Sequence, residues 1–188
     1  MIDNQDWIES YKELCILINK NIPEIKHIDL YHNQLAYEKE EYPFPESSLF
    51  IEFNTTSIDT IGIKAQDMNM QIRFIYAFDT LSDTFNGSDN QEIALSFGSV
   101  IRKLHSLLQS KSGNNFSSLN RIALLKEPSP EGVIVYAQTY SCIIRDYSAT
   151  DETTEVILSE LSPPITAAVE QAPPPAEQTP ILPYIIPI

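Results

Sequence analysis

Glycine and cysteine are scarce in this chain of 188 residues, at 5 and 2 positions. So few glycines leave little backbone that could approach a phosphate closely, and neither a phosphate loop nor a Gly-rich dinucleotide fingerprint occurs. Cys15 and Cys142 are too few and too distant in sequence for a disulfide framework or a zinc site of their own, so reduced, buried thiols are expected. No run of about 20 apolar residues is present. The start Met1-Ile2-Asp3-Asn4-Gln5-Asp6 lacks the basic and apolar stretches of a signal peptide, so the chain is expected to stay in the compartment where it is made. Positive charge is also short: 12 Lys+Arg stand against 26 Asp+Glu, a formal charge of -14 and a pI near 4.4. That balance opposes a basic nucleic-acid groove but is compatible with a surface that DNA passes without sticking.

Hydrophobic residues make up 43% and aromatics 10%, enough for the core of one domain with chain to spare. The charge divides the chain into residues 1–150, holding all 12 basic and 20 acidic residues, and residues 151–188, with 6 acidic residues and no Lys or Arg. Eight of the 13 prolines fall between Pro163 and Pro187, including Pro173-Pro174-Pro175. Each fixes φ and removes a donor, which predicts an extended, polyproline-like arm. Its tip is apolar at Ile181, Leu182, Tyr184, Ile185, Ile186 and Ile188. Such side chains at a free end are expected to dock, on the parent domain or on a neighbouring subunit or partner.

Within residues 1–150, Trp7, Tyr11, Leu14 and Ile18 recur at helical spacing, with Ile8, Cys15 and Leu17 widening the stripe. The spacing predicts a helix from an Asp3 or Asn4 cap to about Lys20, ended by Pro23. A short apolar stretch over Ile25, Ile28 and Leu30 precedes a polar loop, and Leu49, Ile51 and Phe53 then alternate as a half-buried strand. Ile58, Ile61 and Ile63 predict a short connecting strand around Gly62. The long strand at residues 68–78 carries Met68, Met70, Ile72, Phe74, Tyr76 and Phe78 on one side. Asn69, Gln71 and Arg73 lie on the other, which turns apolar at Ile75 and Ala77. Ser88 or Asp89 with Gln91 or Glu92 predicts a capping box for one helix running to Gly113, with an apolar face of Ile93, Phe97, Val100, Ile101, Leu104, Leu107 and Leu108. Strands at 119–126 and 133–146 follow, joined by Pro128-Ser129-Pro130-Glu131-Gly132.

The order is helix, two or three strands, helix, two strands and an arm. It predicts an α+β fold in which an antiparallel sheet of four to five strands carries two helices on one face. The strands at 68–78 and 133–146 are apolar on both sides. The second face therefore needs a symmetric oligomer or a third layer made by the amino-terminal helix and loop.

Reactive groups do not assemble by spacing. His27 and His32, with Asp29 between, supply two metal ligands without a third, and surface residues are the better reading. His105 reads as a solvent-edge histidine, and Cys142, beside Ser141, as a buried thiol without an adjacent base. Glu24, Lys26, Glu52, Asp59 and Lys64 could in principle furnish a metal-dependent nuclease, but the spacing is nonspecific and the charge opposes DNA capture. No catalytic, cofactor or metal residue is assigned.

The element order resembles the tail-terminator or tail-completion proteins of tailed bacteriophages. It is carried by Ser48-Leu49-Phe50-Ile51-Glu52-Phe53, by Met70-Gln71-Ile72-Arg73-Phe74-Ile75-Tyr76, by Leu119-Asn120-Arg121-Ile122, and by Val133-Ile134-Val135-Tyr136-Ala137-Gln138-Thr139-Tyr140-Ser141-Cys142. The closing Ile143-Ile144-Arg145-Asp146-Tyr147-Ser148-Ala149 also resembles the end of their final strand. The resemblance spans residues 5–149 and rests on element order and texture. It implies a virion structural protein without an active site or cofactor, forming a sixfold or twelvefold ring at the head-tail interface beside connector, portal or tail proteins. DNA would pass through the lumen without specific binding. The Pro-rich arm departs from the family pattern and leaves open a neck or connector ring. Small acidic chaperones of type III secretion are a rival resemblance; they bind an extended client, but the arm and the lack of a third helix after residue 146 speak against them.

Overall fold

The structure is a computed structural model and describes residues 7–36, 44–79, 83–129 and 132–149. The expected caps Asp3 and Asn4, and the arm with its apolar tip, lie outside the described residues.

Helix α1, Trp7–Asn21, seals Leu14 and Ile18 completely, and the buried face continues past Pro23 through Ile22 and Ile25. Strand β1, His27–Leu30, follows, and then a 3-10 turn at Gln34–Ala36. Strands β2, Ser48–Gly62, and β3, Ala65–Asp79, form one long hairpin. The separate strand expected around Gly62 does not exist. Bulges after Thr55 and Thr60 take up the irregular spacing of Ile58 and Ile61, so pairing continues to the turn at Ile63 and Lys64.

The second helix divides into α2, Gln91–Ala94, and α3, Phe97–Leu108. The expected capping box is not formed: Asn90 sits at the cap with its side chain donating to Asp83 and not to the helix end, and the Ser88 hydroxyl accepts the Asn90 N–H. Ile93, counted on the apolar face, is therefore exposed. The helix stops at Leu108, before Gly113, because Ser110 turns to a positive φ and donates its N–H to Leu119. Gly113 has another role. A Cβ there would collide with the Glu13 carboxylate and lie 2.5 Å from Phe116. That carboxylate accepts the N–H groups of Asn114 and Asn115, fastening the 113–119 loop to α1.

Strands β4, Asn120–Lys126, and β5, Val133–Asp146, complete a five-stranded sheet in the order β1-β2-β3-β5-β4. Neighbours are antiparallel except β1, which runs parallel to β2, so the sheet is mixed. The 17 residues between β1 and β2 give the length that a parallel pair needs and a tight hairpin turn could not supply.

Both long helices pack on one face, over Leu49, Ile51, Ile72, Phe74, Tyr140 and Ile144. The alternation expected at 68–78 and 133–146 holds in β3 and in the last strand, with Val133, Val135 and Ala137 on the opposite side. There the chain covers itself: Tyr31, Leu35 and Phe44 pack on Phe50, Ile75, Ala77 and Val135. The third layer at this end is therefore made by Tyr31, Leu35 and Phe44, from the stretch between β1 and β2, and not by α1.

Leu104 is fully buried in the middle of α3. Leu104→Ala should lower unfolding stability by about 2–5 kcal/mol, read as a shift in the urea midpoint, because the helix cannot collapse onto a sheet of large side chains.

Candidate functional site

The residues singled out for chemistry are kept apart. His27 Nε2 lies 3.9 Å from Asp29 Oδ2, while His32 is exposed after β1, with its backbone N–H held by Gln34 Oε1. No group of three His, Cys, Asp or Glu that could hold a metal occurs among the described residues. Glu24 pairs with Lys103 across to α3, and Lys26 Nζ donates to the Pro23 carbonyl. Glu52 pairs with Arg73, whereas Asp59, on the same strand about 23 Å further along, accepts from Asn69. Lys64 stands in the hairpin turn. The topology thus scatters the five residues of the nuclease reading.

Two polar networks do form, one on each face. On the open face Arg73 bridges Glu52 on β2 and Glu127 just after β4, the latter at 2.9 Å, linking β2, β3 and the end of β4. Under the helices, the buried Gln138 accepts from Arg121 at 3.2 Å and from the Tyr140 hydroxyl at 3.0 Å, and donates to the Ile101 carbonyl of α3 at 2.8 Å. With its proton given to Gln138, the Tyr140 hydroxyl accepts from His105 Nδ1 at 3.1 Å, which places a proton on that nitrogen. Burial pushes the Tyr140 hydroxyl up to about 12 and, with the Arg121 charge beside it, lowers the His105 pKa. Cys142 is buried and its thiol is likewise pushed up to about 12, so it remains protonated at neutral pH. Cys15 is half-buried and also free.

The surface features of the described residues are edges. Because β1 is only four residues long, it covers β2 no further than Ile51, whose carbonyl takes the Tyr31 N–H. Beyond it no described strand lies against β2, and a groove of about 240 Å³ opens there between Trp7, Tyr31, Phe53, Thr55 and Met70. The distal hairpin exposes Ile58, Ile61 and Ile63, the last to 92%. At the opposite edge, β4 exposes Ile122, Leu124 and Leu125. Sequence reading assigned Ile58, Ile61 and Ile63 to a strand but not to a surface. The short length of β1 is the missing signal, since it leaves the neighbouring edge open.

The docking residues expected in the arm, Ile181, Leu182, Tyr184, Ile185, Ile186 and Ile188, lie outside the described residues. No helix among the described residues is long and apolar enough to cross a membrane. Neither a protein-family model nor a curated protein matches the chain.

Tyr140→Phe should cost about 1–2 kcal/mol in a denaturant titration, since Gln138 and His105 lose a buried partner. The depressed His105 pKa favours the neutral ring in the folded state. Its contribution to stability is therefore complete above the ordinary value of 6.5 and declines as pH falls through the lower folded value. His105→Asn should flatten the fall in unfolding midpoint as pH drops below about 6.5.

Proposed function

We propose that this chain is a structural virion protein of a tailed bacteriophage that assembles as a ring at the head-tail interface, around the channel through which DNA passes. The observation that carries this reading is the sheet itself. Among the described residues it is open at both edges, with exposed Ile58, Ile61 and Ile63 toward one and Ile122, Leu124 and Leu125 toward the other. Two different apolar edges on opposite sides of one protomer suit a head-to-tail contact between copies, which closes into a ring when the rotation between them permits.

The α+β order and the long hairpin support the likeness to tail-terminator proteins, and the formal charge of -14 supports a lumen that repels DNA and so lets it slide. Copies of the chain work by fitting together and to adjacent connector, portal or tail proteins, with no reacting group. The Pro-rich arm reaches from one subunit to the next. The site of action is the virion, after assembly in the host cytoplasm.

Light scattering and negative-stain microscopy of the full chain test the reading: closed rings of defined symmetry are expected, and a stable dimer at every concentration would overturn it. Deleting residues 181–188 should leave the unfolding midpoint within about 0.5 kcal/mol of the parent while weakening ring formation or incorporation into particles. Unchanged incorporation would remove the arm from assembly.

A further inference from the structure

We infer that the open edge of β2 beyond Ile51 receives residues 181–188 of a second copy as an added antiparallel strand. The assignment rests on the reading of the chain as a self-assembling ring protein, and it adds the receptor, the direction of the strand and the face of each side chain.

The edge fixes which backbone groups are available. Ile51 points its carbonyl toward β1, where Tyr31 donates to it, so Phe53 and Thr55, at the same parity, point theirs outward. Past the bulge the pairing of Ile58 with Met68 restores that parity, and Ile58 is again turned outward. Phe53 packs in the helix-side core and Ile58 pairs with Met68 of that core, so the residues that offer backbone bonds also line the helix side.

The tip matches this edge in two ways. Pro183 and Pro187 are four residues apart and share one parity, so in an extended strand both missing donors fall on the same edge. The other edge keeps every N–H, at Leu182, Tyr184, Ile186 and Ile188. Directly opposed residues of an antiparallel pair share a face, so these four side chains, brought against Phe53, Thr55 and Ile58, must lie on the helix side. Trp7, Phe53 and Met70 line the groove on that side, and Trp7 is 39% exposed. The proline-blocked edge of the tip faces outward and ends the sheet instead of recruiting a further strand.

The length of the spacer selects a second copy over the same chain. β5 ends beside Gln66 on β3, so the strand position outside β2 lies only about 15 Å away, three strand spacings. Residues 150–180 span up to about 95 Å when extended as polyproline, and six prolines between Pro163 and Pro180 resist doubling back. A protomer five strands wide is about 24 Å across, so such a spacer suits the distance to a neighbour better than the gap to its own edge.

The test uses full-length chains carrying Asn54→Cys in one and Ile185→Cys in the other, mixed and oxidised with diamide, with each variant alone as the blank for Cys15 and Cys142. Asn54 is exposed on the face opposite the helices, the face the inference gives to Ile185. The mixture should form disulfide-linked pairs at least tenfold faster than Ile185→Cys mixed with Leu125→Cys on the β4 edge. Equal rates would overturn the assignment. Both substitutions in one chain should still link between chains on dilution to the assembly threshold; closure within the chain would overturn the second-copy source. Thr55→Pro removes an outward N–H, which an edge strand tolerates, and should raise the concentration needed for assembly about tenfold; no change would also overturn the inference. Rings without edge-selective linkage would sink the arm assignment and leave the ring reading standing. Edge-selective linkage in open filaments would do the reverse.

Discussion

Every layer of this protein depends on the pairing of β3 with a strand on each side along nearly its whole length. A strand held on both edges cannot slip, and its strict alternation then decides what each face of the sheet must be. The even residues from Met68 to Tyr76 form the floor under α1 and α3. The odd residues divide the other face into an apolar end at Ile75 and Ala77, an ion-paired middle at Arg73 and a polar end at Asp67, Asn69 and Gln71. The apolar end is covered by Tyr31, Leu35 and Phe44, and the polar end carries the exposed hairpin into solvent.

The polar groups that the sheet encloses are arranged to hold layers together. Gln138 is buried on the helix side of β5 and its side chain meets α3, β4 and Tyr140 at once. An amide with partners on three sides fixes the position of α3 along the sheet, because a shift of one turn would strand its polar atoms in an apolar layer. Arg73 ties β2 and the end of β4 to β3 from the opposite face. It remains partly solvated, so its effect is on register more than on stability.

The surface is distinctive for what it leaves uncovered. Natural sheets blunt their edges with charge, proline or a covering segment. Here β1 covers only the first four residues of β2, and the exposed isoleucines of the hairpin stand beyond it. Proline occurs instead in the arm, where Pro183 and Pro187 are four residues apart.

Periodicity in the sequence determined the faces of β3 and β5 residue by residue, the buried stripe of α1 and the placing of both long helices on one side, because alternation and helical spacing are local consequences of what must be buried. Composition also determined the acidic balance and the absence of Lys and Arg after residue 150. Neither determined that β1 runs parallel to β2, that the helix after Ser88 breaks at Leu95 and Ser96, or that Gly113 makes room for Glu13 and Phe116. Those outcomes depend on groups far apart in the chain. The same limit explains the edges: whether a strand is central or open follows from which strand lies beside it and how long that neighbour is, and only the assembled sheet decides that.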